Sequence, residues 1–477
     1  MTFPPSSGTE ASPGPERRFP GARRALLLLL GINLFNYLDR NVLAAVVPWI
    51  KEACFNADGS VSGSPALTAL LQWSQRHLGF TPENALLGIL GTAFMVVYTV
   101  GAPVFGRLAE RYSRWRLVGI GVVLWSLASG ASGLAGTFLV LLLTRCLVGI
   151  GEAAYGPVAP SLISDFFPVK VRGRIFAWFY MAIPVGSALG YVLGERVAKS
   201  GLGPWGAAVF GTRPDSWPWA FYLVVAPGIA LGVGSFFMRE PPRGQADLGR
   251  AAAPVAVRWR DYALLLQTPS YVFCTLGMTA MTFAIGGMAF WMPYYLTQRP
   301  GTGASPITVF GAIVVAAGFV GTYLGGWAGD KLRPRFPGAY FMVSGAAMLA
   351  GFPLFLAVLV APFPLGWVLI FLACFCLFFN TGPTNTILAN VMHPSMRAAG
   401  FALNIFVIHL LGDVISPVVI GVLSDKYSME AGFFVVGIMF LVAGLLWLLG
   451  ARHLRHDTEL APNRLPACPA AESAPPS

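Results

Sequence analysis

The sequence predicts an all-α membrane protein with twelve transmembrane helices arranged in two six-helix bundles. Three observations lead to this prediction: the composition, twelve apolar runs of membrane-spanning length, and an internal repeat. Of the 477 residues, 56% are hydrophobic and only 11% are charged, whereas about 25% of residues are charged in ordinary soluble domains. The mean hydropathy of +0.66 agrees. The composition therefore indicates a polytopic membrane protein and excludes a soluble chain with one anchor.

Twelve runs are long enough to cross a bilayer, because about 20 apolar residues span its hydrocarbon core. They lie between a polar N-terminal segment, 1–24, and a Pro- and Ala-rich tail, 452–477, which we expect to be disordered. Residues 239–268 are charged and contain Pro and Gly, which predicts a linker between the bundles 25–238 and 269–451. Numbered in chain order, the predicted spans are 25–50, 84–107, 116–135, 137–164, 173–199, 219–238, 269–297, 306–329, 338–361, 365–391, 398–424 and 431–451.

The basic residues predict the orientation, because Lys and Arg concentrate in cytoplasmic loops. With the N-terminus inside, the cytoplasmic segments hold 23 of the 32 Lys and Arg residues. Both termini are therefore expected in the cytoplasm, and the chain in a bacterial inner membrane. The net charge of +11 then reflects topology and does not indicate binding to nucleic acid.

The two bundles resemble each other in sequence. GRLAERYSRWR (106–116) follows span 2, and GGWAGDKLRPR (325–335) follows span 8. Pro168 follows span 4 in the same way that Pro394 follows span 10. A repeat of six spans preserves orientation, so the bundles are related by a pseudo-two-fold axis along the membrane normal, as in major-facilitator transporters.

Several local motifs resemble those of one family. The loop GRLAERYSRWR and the span 4 segment RCLVGIGE resemble motifs of the major facilitator superfamily, although Glu110 and Ser113 stand where Asp and Gly are usual. Four segments together resemble the spinster branch: INLFNYLDR (32–40), GIGEA (149–153), GPTNTILANV (382–391) and HLLGDVISPVVIGVLSD (409–425). This resemblance implies a secondary active transporter that works by alternating access and moves amphipathic lipids such as lysophospholipids or sphingosine phosphates. Proton coupling through Asp39 is also implied by the resemblance.

Four charged residues lie inside predicted spans, Asp39 and Arg40 in span 1 and Arg145 and Glu152 in span 4. Each would cost about 2.5–3.5 kcal/mol at the bilayer centre. Helical rise places Asp39 in depth between the two span 4 charges, which share one helix face. We predict a mid-membrane cluster in which Asp39 and Glu152 couple protons, while Arg40, Arg145 and Glu152 bind substrate.

In this hypothesis ionised Asp39 holds Arg145, and protonation of Asp39 frees the guanidinium for a phosphate group. The structural alternative is that the charges only neutralise one another.

Two later spans also carry polar residues. In span 10, Asn380, Thr384 and Asn385 surround a Gly-Pro pair, and are predicted either to contact substrate or to repair the helix break at proline. In span 11, His409 and Asp413 share one face, and Asp413 is assigned to packing or to a gate.

Charged residues at the cytoplasmic span ends are expected to form an inner gate, although they could serve topology alone. These residues are Glu110, Arg111, Asp165, Arg172, Asp330 and Lys331. In span 5, Gly186, Gly190 and Gly194 are spaced by four, which predicts close packing against another helix.

The sequence contains no nucleotide-binding loop, metal-ligand constellation or nucleophile triad, so we expect no cofactor, no metal and no enzymatic activity. The expected partners are a lipid substrate, protons and the bilayer, and a monomer is expected. A proton-linked carrier of soluble organic anions would use the same charges and is the main alternative. An intramembrane aspartyl protease is a remote one, because YLD at Asp39 and LGD at Asp413 match its motifs only faintly.

Overall fold

A computed structural model describes residues 21–56, 58–211, 214–243, 261–393 and 396–461. Most of the N-terminal segment, much of the linker, the end of the tail and Pro394 lie outside these ranges. Within the described ranges, twelve helical segments are long and apolar enough to cross a membrane. The predicted number of spans is therefore confirmed.

The spans keep the order and, to within a few residues, the boundaries expected from hydropathy. Three of them, spans 4, 10 and 11, consist of two helices each. The bounds are Ala22–Cys54, Glu83–Arg111, Arg114–Gly133, Phe138–Ala153 with Val158–Phe166, Val169–Ala198, Pro218–Phe236, Pro269–Gln298, Pro306–Leu332, Ala339–Val360, Leu365–Phe378 with Thr381–Val391, Arg397–Ile408 with Ser416–Lys426, and Met429–Gly450.

The three interrupted spans break close to prolines. Span 4 breaks just before Val158, which follows Pro157, and span 10 breaks three residues before Pro383. Span 11 passes through a π-helical turn at His409–Asp413, shortly before Pro417. Proline lacks the N–H group and clashes with the preceding turn. Turns of the π type are frequent at functional sites, and this one ends at the charged residue Asp413.

In the part of the chain that the structure describes, four shorter helices lie outside the spans: Pro65–Leu78, Leu202–Phe210, Asp261–Leu266 and Leu454–Leu460. The last of them corrects the prediction of disorder for the tail. Its buried Asp457 accepts a hydrogen bond from the backbone N–H of Ser270 at 2.8 Å. That N–H belongs to the first turn of span 7, where a carboxylate is stabilising. The start of the tail is therefore folded onto the second bundle.

Two carboxylates join the bundles at the end of the molecule where a long loop connects span 1 to span 2, called the long-loop end below. Asp425, at the end of span 11, accepts the N–H groups of Asn84 and Ala85 at 2.9 and 2.8 Å. Glu195, near the end of span 5, accepts the N–H of Thr308 at 2.7 Å. Each carboxylate caps the first turn of a span in the other bundle. Because spans 5 and 11 are equivalent in the repeat, as are spans 2 and 8, the two caps are related by pseudosymmetry.

The glycines of span 5 pack closely against span 1, as the sequence predicted. A Cβ at Gly186 would lie 2.5 Å from the carbonyl oxygen of Leu34, and a Cβ at Gly190 would contact that of Leu38. Small residues allow this approach between transmembrane helices. The contact at Leu38 holds in place the turn of span 1 that carries Asp39 and Arg40.

Replacing Gly190 with Ala is expected to lower thermal stability, because the added methyl group meets the Leu38 carbonyl and the Cβ of Asn41. Overpacking of this kind costs about 1–3 kcal/mol. The melting temperature of the detergent-purified protein measures the effect. Gly136→Ala is the matched control, since nothing lies within 4 Å of a Cβ there. Equal melting temperatures for both variants would contradict the packing argument.

Candidate functional site

A cavity of about 270 Å³ lies between the two bundles. Spans 1, 2, 4 and 5 line it on one side and spans 7, 8, 10 and 11 on the other. Its wall is mainly apolar, with large side chains such as Phe94 and Phe310. Among the described residues, the charged side chains in the wall are Arg40, Arg145 and Asp413. The cavity is therefore an apolar chamber with a few charges at defined places.

Arg40 is fixed by an ion pair and by aromatic rings. Its Nε donates a hydrogen bond to Oε2 of Glu152 at 2.6 Å, and the Glu152 side chain is fully buried. The guanidinium lies 5.0, 5.0 and 4.8 Å from the ring centroids of Tyr37, Phe94 and Tyr98. Cation–π contacts at these distances add to the attraction. Arg40 and Glu152, predicted on two different spans, are thus direct partners.

Asp39 and Arg145 also lie in this cluster, but they do not form the direct bond that the sequence analysis proposed. Asp39 accepts a hydrogen bond from the Ser129 hydroxyl, and Nη2 of Arg145 donates to the Ser132 hydroxyl. The two charges interact electrostatically. Among the described contacts, however, the ion pair of the cluster is Arg40–Glu152. The prediction of a direct Asp39–Arg145 bond is wrong for this conformation, because span 3 supplies a hydroxyl to each charge.

The two span 3 serines are site residues that the sequence analysis missed. They occur in SLASGASG (126–133), where Ser126, Ser129 and Ser132 recur every third residue and so share one helix face. Ser132 in turn donates to Thr144 at 2.8 Å, one residue before Arg145. Hydroxyls at helical spacing in an apolar span were the available signal.

Three charged atoms of the cluster lack a hydrogen-bond partner within the described protein. They are Oδ2 of Asp39, Nε of Arg145 and Oε1 of Glu152, and all three are buried. Buried polar atoms are normally hydrogen-bonded. Oδ2 of Asp39 is therefore available to accept a proton. Nε of Arg145 is available to donate a hydrogen bond to an anionic group in the cavity that Arg145 lines.

The three polar residues of span 10 do not line this cavity, so their assignment to substrate binding stays a prediction. Asn380 donates to the carbonyl groups of Cys376 and Leu377 at 2.9 and 3.2 Å. Thr384 donates to the carbonyl of Asn380, and Asn385 to that of Thr381. These bonds satisfy backbone carbonyls around the helix break. These contacts favour the alternative expectation, in which the three residues support the backbone around the helix break.

Asp413, assigned to packing or a gate, lies in the cavity wall, and its gating role stays a prediction. Both of its carboxylate oxygens lie 2.9–3.0 Å from Nδ1 of His409. The two residues are the ends of the π-helical turn of span 11. The turn, and not a span end, therefore determines where Asp413 points.

Four of the six residues predicted to form an inner gate have contacts within their own bundles. Asp165 accepts a hydrogen bond from Arg114 at 2.5 Å, and Arg172 donates to the Ser164 carbonyl at 2.7 Å. Asp330 accepts from the Tyr340 hydroxyl at 2.7 Å. The side chains of Glu110 and Arg111 are exposed, and Lys331 lies 4.5 Å from the Trp327 ring centroid. Because the bundles are joined at the opposite end here, gating by these residues stays a prediction.

Arg114 organises the end of the first bundle where this gate was expected. Besides Asp165, it binds Glu240 at 2.9 Å. Partial burial raises the pKa of Glu240, but hydrogen bonds from Ser113 and Arg114 lower it by more, so the pKa lies below its ordinary value. Glu240 is therefore ionised at neutral pH, and it attaches the start of the linker to the first bundle.

Comparisons with known proteins agree with this architecture. The family model of the Major Facilitator Superfamily matches residues 29–412. Protein spinster homolog 3 of Danio rerio is 32% identical over 470 residues, which cover 92% of this chain and 86% of that protein. Protein spinster homolog 1 of Homo sapiens is 35% identical over 432 residues, covering 85% and 74% of the two chains.

Solved structures share the fold. A bacterial homolog to the human lysosomal transporter Spinster, in an inward-facing and unoccupied conformation, superposes with a TM-score of 0.72 at 21% identity, covering 94% of this chain and 99% of that one. A D-xylose-proton symporter gives a TM-score of 0.65 at 19% identity over 89% and 96% of the chains. The chain thus belongs to the spinster family of the major facilitator superfamily, and it is a multi-pass membrane transporter, not an enzyme.

Proposed function

We propose that this protein is a proton-coupled secondary active transporter that moves amphipathic lipids, such as lysophospholipids or sphingosine-phosphate-like molecules, by alternating access. One observation supports this most directly: an apolar cavity between the bundles whose wall carries Arg40 and Arg145, with two carboxylates directly behind them.

The cavity has separate regions for the two parts of such a lipid. Guanidinium groups bind phosphate well, because their donors match its oxygens in pairs. Arg145 has a free donor for this purpose, whereas Arg40 is bonded to Glu152. The apolar wall, with Met288 and Phe310 from the second bundle, suits an acyl chain. Its volume is near the lower end of known ligand pockets, which fits a headgroup and the first part of a chain.

The position of Asp39 supports proton coupling through its carboxylate. While ionised, Asp39 attracts the guanidinium of Arg145 and makes it less available to an anion. When Asp39 takes a proton, this attraction ends, and Arg145 binds the phosphate of the lipid. Glu152 holds Arg40, and serves as a second proton acceptor when that ion pair opens. Hydrogen bonds to Ser129 and Ser132 keep both side chains oriented in either state.

The proposed topology places both termini in the cytoplasm, because the basic residues concentrate on that side. The long-loop end is then the outer end, and the caps made by Asp425 and Glu195 close the outer gate. In the opposite state the charged residues at the inner span ends, from Glu110 to Lys331, close the inner gate. We further propose a monomer in a bacterial inner membrane.

Reconstitution in liposomes tests the function. A pH gradient is imposed, and uptake of labelled lysophosphatidylglycerol is measured as the fraction that external albumin no longer extracts. Glycerophosphoglycerol, which has the same charge but no acyl chain, is the matched soluble anion. Gradient-driven uptake of the lysolipid alone supports the proposal. Uptake of the soluble diester alone would instead favour the carrier of soluble organic anions.

Replacing Arg145 with Lys is expected to weaken lysophosphatidylglycerol binding about tenfold, because the ammonium group keeps the charge but loses the paired donors. Equilibrium binding of the radiolabelled lipid to the purified protein measures this. Arg76→Lys, at an exposed position of the helix Pro65–Leu78, is the control and is expected to leave binding unchanged. Unchanged affinity in Arg145→Lys would argue against phosphate recognition at this position.

A further inference from the structure

Two short helices at the long-loop end carry large apolar side chains on their exposed surface. Both belong to the first bundle: Pro65–Leu78 lies between spans 1 and 2, and Leu202–Phe210 lies between spans 5 and 6. Six large apolar side chains of these helices are between 45% and 64% exposed; they are Leu70, Trp73, Leu78, Trp205, Val209 and Phe210. Exposed apolar patches mark surfaces that contact a partner.

The helix Pro65–Leu78 has three distinct faces, because positions three and four apart lie on the same side. Positions 67, 71 and 74 face the protein, and Leu71 and Ser74 are buried. Positions 66, 70 and 73 are exposed and apolar, and the Trp73 ring stacks on His77 at 4.9 Å. Positions 72, 75 and 76 are exposed and hold Gln, Gln and Arg. The apolar and polar faces thus lie on opposite sides of the packed face, as in helices at a membrane surface.

The helix Leu202–Phe210 is apolar throughout and is attached to the start of span 6. Its sequence, LGPWGAAVF, contains no charged residue. The Trp205 ring lies 5.7 Å from that of Trp219, the second residue of span 6, and the Trp219 ring lies 5.5 Å from that of Tyr222. Trp and Tyr are enriched where a membrane meets water. The ring cluster therefore indicates the level of the membrane surface at the long-loop end.

The chain just before the helix Pro65–Leu78 is held against the beginning of span 4. A Cβ at Gly63 would contact Cγ2 of Thr137, the N-cap of that span. Leu139 and Val140 follow in the first turn of span 4 and are about half exposed, as expected of side chains in contact with lipid. The helix thus begins beside the outermost part of a lipid-facing surface.

The second bundle has no equivalent of the two helices. In the repeat, the corresponding loops are 299–305, between spans 7 and 8, and 427–428, between spans 11 and 12. Both loops belong to the described part of the chain, and neither contains a helix. The two apolar helices are therefore additions to the first bundle.

We propose that these two helices bind the membrane–water interface at the long-loop end and anchor the first bundle in the lipid headgroup layer. Their apolar faces contact the upper part of the acyl chains, while Gln72, Gln75 and Arg76 remain in water. Neither helix contains Asp or Glu, so no negative charge opposes the lipid phosphates, and Arg76 is attracted to them. The anchor does not depend on the transported lipid or on proton coupling, so its failure would leave the proposed function intact.

The depth of spin labels in nanodiscs tests the anchor. Oxygen concentrates in the bilayer and a nickel chelate stays in water, so the ratio of a label's accessibility to these two probes reports its depth. Ala66→Cys, Leu70→Cys and Val209→Cys place labels on the apolar faces and retain both Trp73 and Trp205. The unmodified chain, treated with the same label, gives the background from native cysteines.

Matched positions calibrate the ratio. Gln72→Cys and Gln75→Cys place labels on the polar face of the same helix. Leu143→Cys, at an exposed position of span 4, gives the value for lipid, and Asp58→Cys, in an exposed loop, gives the value for water.

The oxygen-to-nickel ratio is expected to be severalfold higher at the three apolar positions than at the two glutamine positions, and closer to that of Leu143→Cys than to that of Asp58→Cys. A ratio typical of water at the apolar positions of either helix overturns the proposal. Labels that are shielded from both probes and broadened by contact with one another would show that a second copy of the chain covers these faces, which also overturns it.

Discussion

Proton-driven accumulation of lipid is expected to be abolished when Asp39 is replaced by Asn, while the protein still folds and still exchanges lipid. Asn has nearly the shape of Asp, and its carbonyl can accept the bond that Ser129 donates to Asp39. It cannot bind and release a proton. The amide also resembles the protonated carboxyl group in leaving Arg145 without an opposing charge, so lipid binding should persist. The variant therefore separates coupling from binding.

The size of the effect follows from the driving force. A proton-motive force equivalent to 100 mV supplies about 2.3 kcal/mol per charge moved. With one proton per lipid, this sustains a concentration ratio of about 50. Wild-type liposomes are expected to approach such a ratio, whereas Asp39→Asn liposomes should stay near 1. Exchange of labelled for unlabelled lipid without a gradient should proceed in both.

Two control variants make the result interpretable. Asp58→Asn is also a change from carboxylate to amide, but it lies in an exposed loop and should accumulate lipid normally. Glu152→Gln tests the other buried carboxylate of the cluster. If Asp39→Asn accumulates lipid as the wild type does while Glu152→Gln does not, the proton is carried by Glu152 and the mechanism proposed for Asp39 is incorrect.

The spans could be predicted because hydropathy is a local property. Every crossing is an apolar run bounded by polar or proline-containing loops, and the observed first span begins at Ala22, three residues before the predicted start. The charged residues of the cluster could also be identified from the sequence, since Asp39, Arg145 and Glu152 are conspicuous in apolar helices. Depth along each helix then placed them near one another.

The pairing within the cluster could not be predicted in the same way. It depends on how each helix is rotated about its axis, and hydropathy does not report this for helices that are apolar on all sides. Ser129 and Ser132 bind the charges, but they come from a span with no charged residue in its interior. The rotation of span 1 that directs Arg40 to Glu152 is determined by its packing against the glycines of span 5.

The closed end of the molecule could not be predicted from the sequence for a different reason. Sequence analysis assigned gating to charges on the basic side, whereas the contacts that join the bundles lie at the long-loop end. A signal for these contacts was present, because VLGER (192–196) and VLSDK (422–426) place an acidic residue at equivalent positions of spans 5 and 11. Which end is closed, however, is a property of the conformation, and one sequence serves both states.

The caps made by Asp425 and Glu195 are expected to set the balance between the two states. Each accepts backbone N–H groups at the start of a span in the other bundle, so both sets of bonds must break when the long-loop end opens. Removal of a helix cap costs about 1 kcal/mol. The two sites share no partner, so the effects should add. Replacing both residues with Ala should therefore shift the equilibrium by about 2 kcal/mol, or roughly 30-fold, toward opening at the long-loop end.

Distances between spin labels measure this shift. Glu52 follows the apolar part of span 1 and Gln298 ends span 7; both are exposed at the long-loop end and belong to different bundles. Labels at these positions should show one short distance in the wild type and a dominant longer distance in the double variant. Each single variant should populate the longer distance to an intermediate extent.

Asp58→Ala is the control. It removes a carboxylate at the same end that accepts the N–H of Ser60 within its own loop, and it should leave the distance distribution unchanged. If the double variant keeps the short distance, the bundles are held together by apolar packing such as that of Gly88 against Pro417, and the two carboxylates act only as local helix caps.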